Sequence, residues 1–212
     1  MSANSPPPSV NPSPVPDAID PIRLEKIALR KRLLPLRQAA LTSDPATEHA
    51  IAAGVRAWLD AGGFRCVGFY WPLAGEPDLR ATLSHWLADD PTRRAALPTE
   101  VQLASPLRFA GWRPDTPMRI GRYGIGIPEN DADAPAVDIT PDALLIPCVG
   151  FDARGFRLGY GGGFYDRTLA DAAQRPATLG IALEATRIAA LPTDTFDIPL
   201  DAIQTEQQRY RR

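Results

Sequence analysis

Apolar residues recur every three or four positions in two segments near the start of the sequence. The first follows Asp20-Pro21, where an N-cap residue precedes a proline at the first helical position, and it predicts a helix. Pro35 is expected to end or kink this helix, because proline has no N–H group to donate. A second helix is predicted to begin at Ser43-Asp44-Pro45 and to end at Gly62-Gly63.

From residue 65 onward, short apolar runs bounded by proline and glycine predict buried strands. The predicted strands cover residues 66–71, 94–98, 107–109, 143–147, 178–183 and 202–205. Helices are predicted between them over residues 76–87 and about 163–173, and residues 111–141 are expected to be irregular or to form short hairpins. Alternating strands and helices imply crossover connections, so we predict an α/β fold with a mostly parallel sheet covered by helices on both faces.

The start of the chain differs from the rest in composition. Six of the first sixteen residues are proline and none is charged, so residues 1–17 are predicted to be a disordered tail. No linker is visible farther on, and residues 18–212 are predicted to form one α/β domain.

Charge and cysteine content exclude several classes of protein. The formal net charge is −2 over 212 residues, so there is no general basic field to attract nucleic acid or an anionic membrane. No apolar run approaches the length of about 18 residues that a transmembrane helix needs. Two cysteines, Cys66 and Cys148, cannot build a disulfide scaffold. These features predict a soluble cytoplasmic protein, and no obligate protein partner is evident from the sequence.

The densest candidate site is the stretch from Gly150 to Arg167, which follows the strongest predicted strand and opens a helix. Its glycines would let backbone N–H groups approach phosphate oxygens, and Arg157 can add a forked donor. Asp166 is a hard oxygen ligand suited to magnesium. A tight turn with a solvated acid is the alternative, but the concentration of glycine, arginine, tyrosine and acid favours a site. No Walker A pattern occurs.

Two further candidates are weaker on local sequence. Lys26 and Arg30 lie four residues apart on one helix face, where they could clamp a triphosphate; basic neighbours including Arg37 suggest instead a solvated basic helix. Trp71 follows an aromatic strand end and could stack on a flat heterocycle, whose N–H groups Glu76 could bind. The alternative is core aromatics beside a glutamate that begins a helix.

Taken together, five ordered segments resemble the 5-formyltetrahydrofolate cyclo-ligase family, also called methenyltetrahydrofolate synthetases. The most specific runs from Pro147 to Asp166 and holds the core V-G-F-D-x-x-G-x-R-L-G-x-G-G-G-F-Y-D. The others are the K-x-x-x-R of residues 26–30, PLAGEPDL at 72–79, the aromatic-G-I-x-E segment at 123–129 and DIPLDAIQTE at 197–206. The resemblance covers about residues 22–206.

The resemblance implies a fold like that of the sugar-phosphate isomerase and CoA-transferase group, with ATP, magnesium and a reduced folate bound in one cleft. It implies that ATP phosphorylates the formyl oxygen of 5-formyltetrahydrofolate and that 5,10-methenyltetrahydrofolate, ADP and phosphate are released. A non-catalytic folate- or nucleotide-binding module of the same fold is the alternative. A sugar-phosphate isomerase would rest on fold analogy only.

The resemblance also assigns residues to roles. The implied ATP-binding residues lie on the first helix and in the glycine-rich stretch: Lys26, Arg30, Arg157, Gly159, Gly161, Gly162, Gly163 and Phe164. The implied folate-binding residues are an acid and three aromatic residues: Trp71, Glu76, Tyr123 and Tyr165. Asp166 and Asp197 would hold magnesium, and Arg157 and Tyr165 would be catalytic. Gly162 departs from the family, since some members carry lysine there, so only its backbone could contact phosphate.

Overall fold

A computed structural model describes residues 20–99, 104–129, 139–173 and 175–212. The predicted tail at residues 1–17 lies outside these ranges. The helices are α1 (Pro21–Ser43), α2 (Pro45–Gly62), α3 (Arg80–Ala88) and α4 (Phe164–Asp171). The strands are β1 (Cys66–Gly68), β2 (Arg94–Pro98), β3 (Phe109–Trp112), β4 (Met118–Ile120), β5 (Gly126–Pro128), β6 (Ala143–Pro147), β7 (Gly150–Phe151), β8 (Arg157–Leu158), β9 (Ala177–Ile181), β10 (Ala202–Gln204) and β11 (Arg209–Arg211).

Both N-terminal helices begin as their sequences predict. Asp20 accepts a hydrogen bond from the N–H of Ile22, and Asp44 accepts one from the N–H of Ala46. Pro35 does not end α1 as one of the two expectations had it, because α1 continues through Pro35 to Ser43. The pyrrolidine ring lies on the exposed side of α1, and the buried Leu33 and Arg37 on either side of it hold the helix to the protein.

Seven strands form the central sheet in the order β11-β10-β9-β6-β1-β2-β3. The five inner strands are parallel to one another, whereas β11 and β3 pair antiparallel at the two edges. This confirms the predicted mostly parallel sheet. The pairs β4–β5 and β7–β8 are separate antiparallel hairpins, the first of them inside the segment predicted to be irregular or hairpin-forming. Residues 130–138 of that segment lie outside the described ranges.

Helices cover both faces of the sheet, as predicted. Ala143 and Leu145 of β6 join the core cluster that α2 and α3 complete. Leu144 and Ile146, which alternate with them, join the opposite cluster together with Leu169 of α4. Strands buried on both faces explain why β6 has the strongest apolar signal in the sequence.

Several predicted element boundaries need correction. The helix expected from residue 76 begins only at Arg80, and the strand expected over 66–71 ends at Gly68. The strand expected over 107–109 occupies Phe109–Trp112, and β11 was not predicted. None of the described helices combines the length and apolar character that crossing a membrane requires.

The first helix lies over the carboxyl end of the parallel strands. Leu33 of α1 packs in one cluster with Val149, which follows β6, with Leu158 of β8 and with Leu191. Ligands of open α/β sheets bind at this end. The packing of Leu33 therefore brings the polar face of α1 to the place where a ligand is expected.

Candidate functional site

Lys26 joins α1 to a loop near the C-terminus. Its Nζ donates to Asp197 Oδ2 at 2.6 Å and to Asp194 Oδ2 at 3.0 Å. One helical turn farther on, Arg30 Nε donates to the carbonyl oxygen of Gly159 at 2.7 Å. We call Lys26, Arg30, Asp194 and Asp197 the cation cluster. It places the predicted K-x-x-x-R pair against the glycine loop, which comprises residues 159–163.

The contacts of Lys26 favour its own charged form and that of Asp194. Burial lowers the pKa of Lys26, but hydrogen bonds and charge attraction from Asp197 and Asp194 outweigh it, and the pKa is raised overall. Burial also lowers the pKa of Arg30, against the attraction of Asp197. Burial raises the pKa of Asp194, but the hydrogen bonds from Lys26 and the N–H of Phe196, together with the charge of Lys26, outweigh burial, so the pKa is lowered overall. Two cations close to a glycine-rich loop suit a polyanionic ligand.

The glycine loop fits closely against α1. Gly161 has a φ of 99°, in the left-handed region that favours glycine, and a β-carbon there would lie 3.3 Å from the Arg30 guanidinium. Gly163 has a φ of 64° and is the N-cap of α4. The carbonyl oxygen of Gly162 accepts a hydrogen bond from Arg167, whose guanidinium also lies 5.2 Å from the centre of the Phe164 ring. The loop conformation therefore depends on glycine and on two arginines.

Arg157 and Asp166 form an ion pair beneath the loop. Arg157 Nη2 lies 2.9 Å from Asp166 Oδ1, and the Arg157 side chain is only 5% exposed. Asp166 Oδ1 also accepts from the N–H of Ile198, while Arg157 Nη1 donates to the Ile198 carbonyl oxygen. The pair thus holds the segment next to Asp197, and the two predicted metal ligands lie on adjoining segments.

These two carboxylates fit a magnesium ion only in part. Among the described residues, no group of three or more histidine, cysteine, aspartate or glutamate side chains is placed to hold a metal. Asp166 binds Arg157, and Asp197 binds Lys26. Magnesium is commonly held by one or two carboxylates together with substrate phosphates and water. Asp166 and Asp197 therefore suit an ion that nucleotide phosphates bring and help to coordinate.

Glu76 is the centre of a second polar group. It is 6% exposed, and its Oε2 accepts from the N–H of Leu73 at 2.8 Å. Its Oε1 accepts from the Tyr160 hydroxyl at 2.6 Å, with Arg37 Nη1 at 3.5 Å. Burial raises the pKa of Glu76, and the hydrogen bonds from Leu73 and Tyr160 oppose that rise without cancelling it. We call Arg37, Glu76 and Tyr160 the carboxylate cluster.

Sequence reasoning missed Arg37 as a site residue. The sequence favours a solvated position for Arg37 on a basic helix, yet Arg37 is only 2% exposed. Its Nη2 donates to the Tyr160 hydroxyl at 2.6 Å, and its Nη1 donates to the Cys148 carbonyl oxygen at 3.4 Å. Arg37 follows Lys26 by eleven positions and Arg30 by seven, a spacing that keeps all three on one face of a helix. This helical spacing is the sequence signal that could have identified Arg37 as a neighbour of the predicted Lys26 and Arg30 pair.

The predicted aromatic residues lie in different surroundings. The Arg80 guanidinium carbon lies 4.4 Å from the centre of the Trp71 ring. The ring also packs against Gly126 of β5, where a β-carbon would lie 2.6 Å from it. Tyr123 lies in a short 3₁₀ turn between β4 and β5, the hairpin that Trp71 contacts. Tyr165 packs against the α4 side of the core, and burial raises its pKa.

The glycine loop connects the two polar groups. Gly159 belongs to the contact with Arg30, and the next residue, Tyr160, belongs to the carboxylate cluster. The structure therefore brings the predicted residues Lys26, Arg30, Gly159 and Asp197 together. Glu76 is linked to them through Tyr160, the loop residue that follows Gly159. Asp194 and Tyr160 are additional members that the sequence did not single out.

Comparison with known proteins gives consistent results. The model of the 5-formyltetrahydrofolate cyclo-ligase family matches residues 23–206. The chain is 30% identical over 182 residues to a 5-formyltetrahydrofolate cyclo-ligase of Haemophilus influenzae, covering 84% of this chain and 92% of the relative. It is 29% identical over 184 residues to one of Mycolicibacterium smegmatis, covering 82% and 93%. The structure of the Aquifex aeolicus 5,10-methenyltetrahydrofolate synthetase superposes with a TM-score of 0.70 at 26% identity, covering 88% of this chain and 92% of that one.

Proposed function

Because the chain belongs to the 5-formyltetrahydrofolate cyclo-ligase family, we propose that it converts 5-formyltetrahydrofolate and ATP into 5,10-methenyltetrahydrofolate, ADP and phosphate, with magnesium bound beside the nucleotide. The observation that best supports this reaction is the glycine loop between two polar groups of different character. One group presents two cations, Lys26 and Arg30, which suit a triphosphate. The other is a buried carboxylate, which suits the N–H groups of a heterocycle.

The cation cluster is proposed to bind the triphosphate. Lys26 and Arg30 are charged and lie one helical turn apart, and the phosphate oxygens would replace their present acceptors in part. The backbone of Gly161 to Gly163 would approach the same phosphates. Arg157 pairs with Asp166 and donates a hydrogen bond to the carbonyl oxygen of Ile198. Because a guanidinium has five N–H donors, Arg157 would still have a donor for a phosphate oxygen.

Asp166 and Asp197 are proposed to hold magnesium together with the phosphates. When bound, the ion would neutralise charge that develops on the phosphoryl oxygens during transfer. The chain's own contribution is to keep the two carboxylates on adjoining segments, through the ion pair of Arg157 with Asp166 and the hydrogen bond from Ile198.

Glu76 is proposed to accept hydrogen bonds from the pterin of the folate, with Trp71, Tyr123 and Tyr165 forming aromatic contacts around it. This orientation would place the formyl oxygen toward the phosphates at the cation cluster. Holding two reactants in reacting geometry is a large part of catalysis in phosphoryl transfer.

The reaction balances without a redox partner. The formyl oxygen attacks the γ-phosphorus and ADP leaves. The second folate nitrogen then attacks the formyl carbon and loses its proton, the carbon–oxygen bond breaks, and phosphate leaves as the methenyl bridge closes. Phosphorylation turns a poor leaving group into a good one, so positive charge from Lys26, Arg30 and Arg157 would act at the step that needs it.

An absorbance assay tests the proposal. Purified protein is mixed with 5-formyltetrahydrofolate, magnesium and ATP, and the methenyl chromophore is followed, with ATP omitted in one control and magnesium chelated in another. We expect the chromophore only in the complete mixture. If folded protein binds both ligands by calorimetry and forms no chromophore, the chain is a binding module and the proposed catalysis is wrong.

A further inference from the structure

Tyr160 makes the shortest side-chain contact to Glu76. Its hydroxyl donates to Glu76 Oε1 at 2.6 Å and accepts from Arg37 Nη2 at 2.6 Å. Arg37 itself reaches the carboxylate only at 3.5 Å, the limit of a hydrogen bond. The Tyr160 hydroxyl therefore bridges a buried cation and a buried anion.

Apart from Arg37, the titratable groups that face Glu76 carry no charge that would balance it. The titratable groups that face it are Arg37 from α1, Tyr160 from the glycine loop, Tyr70 after β1, Cys148 after β6 and Tyr165 from α4. Burial raises the pKa of Tyr70, Tyr160 and Tyr165, and it raises the pKa of Cys148 to about 12, so these groups stay neutral at pH 7. Of the described groups facing Glu76, only Arg37 is positive.

We propose that Tyr160 is a positioning residue for Glu76, whose hydroxyl transmits the charge of Arg37 to the carboxylate and keeps it oriented and ionised for the folate. The proposal rests on the proposed function, because it takes Glu76 as the folate-binding acid. Tyr160 as a whole residue is 46% exposed, so its hydroxyl reaches the buried carboxylate from the surface loop that also contacts Arg30.

The substitution Tyr160→Phe tests this role, since it keeps the ring and removes only the hydroxyl. The matched control is Tyr210→Phe in β11, where the hydroxyl also donates to a glutamate, Glu184, at 2.6 Å, but outside the site. The affinity for 5-formyltetrahydrofolate is measured by calorimetry from pH 5 to 9 for wild type and both variants. The kcat and the KM are obtained from turnover measured over a range of folate concentrations.

In Tyr160→Phe, Glu76 loses a donor that stabilises its ionised form. The pH at which folate affinity reaches half its maximum should therefore rise by about one unit, and the Kd at pH 7 should rise several-fold, while kcat changes less than KM. Tyr210→Phe should leave this pH profile unchanged. An unshifted pH profile of folate affinity in Tyr160→Phe would overturn the proposal. Tighter folate binding in Tyr160→Phe would also overturn it, because it would mean that the Tyr160 hydroxyl competes with the folate for Glu76.

A second measurement separates this inference from the proposed function. The free energy of unfolding is compared between wild type and Tyr160→Phe from pH 4.5 to 8, without folate. The folded pKa of Glu76 is raised, so wild type loses stability as the pH rises through this window, and the variant should lose more. The difference should therefore grow with pH. A constant difference refutes the role of Tyr160, whereas failure of wild type to bind or convert folate refutes the proposed function.

Discussion

Lys26 and Asp197 are 171 positions apart in sequence, and their side chains meet at 2.6 Å. The same ammonium group binds Asp194, so one lysine ties α1 to the loop beside the last inner strand of the sheet. A lysine held by two carboxylates is oriented before any ligand arrives. If the ligand is a nucleotide, its phosphates find a cation whose direction is already fixed, which lowers the entropic cost of binding.

Lys26→Met is expected to raise the KM for ATP at least tenfold, because it removes a charge from the proposed phosphate site. The matched control is Lys31→Met, which changes the only other lysine of the chain, an exposed residue of the same helix. The stability of Lys26→Met should fall by only about 1 kcal/mol, since partly exposed ion pairs contribute little. Equal KM values for ATP in the two variants would remove Lys26 from the phosphate site.

Asp166→Asn is expected to lower turnover at least a hundredfold while the protein stays folded. Asparagine keeps an acceptor oxygen for the N–H of Ile198 but loses the charge proposed for magnesium. Asp166→Ala would also remove the acceptor oxygen, leaving the buried Arg157 with no partner at this position, at a cost of about 3 kcal/mol. Turnover and thermal unfolding are measured together, with Asp171→Asn at the exposed end of α4 as the control. Near-normal turnover in Asp166→Asn would exclude the metal role.

Gly161→Ala is expected to destabilise the protein by about 1–2 kcal/mol, because the positive φ strains an L-residue and the new methyl group meets the Arg30 guanidinium. Gly159→Ala is the control for stability, since nothing lies within 4 Å of a β-carbon there and its φ is not positive. Denaturant unfolding of both variants measures the difference. Equal stability would show that the loop relaxes around residue 161 without a penalty.

Pro35→Ala is expected to stabilise the protein by about 1–2 kcal/mol. Alanine restores a backbone hydrogen bond inside α1 and removes the ring from the helix interior, although it also frees the unfolded chain. Pro21→Ala, at the first helical position where proline suits the helix, should give no such gain. The melting temperatures of both variants are compared with that of wild type. A melting temperature of Pro35→Ala below that of wild type would contradict the predicted stabilisation.

The sequence predicted the sheet well where burial dictates composition. The strands β2 and β6 occupy the predicted residues, because strands covered on both faces must be continuously apolar. The edge strand β11, with the sequence Arg-Tyr-Arg, carries no such signal, and only its pairing with β10 makes it a strand.

The candidate site was predictable where local sequence carries the chemistry. Lys26 and Arg30 lie at helical spacing, and the glycine loop is visible as a motif. Arg37 and Asp194 were missed, since their roles depend on partners 123 and 168 positions away, respectively. A guanidinium that ends beside a buried carboxylate cannot be distinguished by composition from one that points to water.

The separation of Lys26 from Asp197 also orders events during translation. At roughly 5–20 residues per second, about 10–30 s pass between synthesis of the lysine and synthesis of its carboxylate partner. By the end of that interval β1, β2 and β6 have been made, whereas the proposed phosphate site still lacks the carboxylates that hold Lys26. A ribosome-stalled chain that ends before residue 194 would therefore contain five of the seven strands of the central sheet but neither of the carboxylates that hold Lys26. The proposed phosphate site would thus be completed only when the last segment of the chain is made.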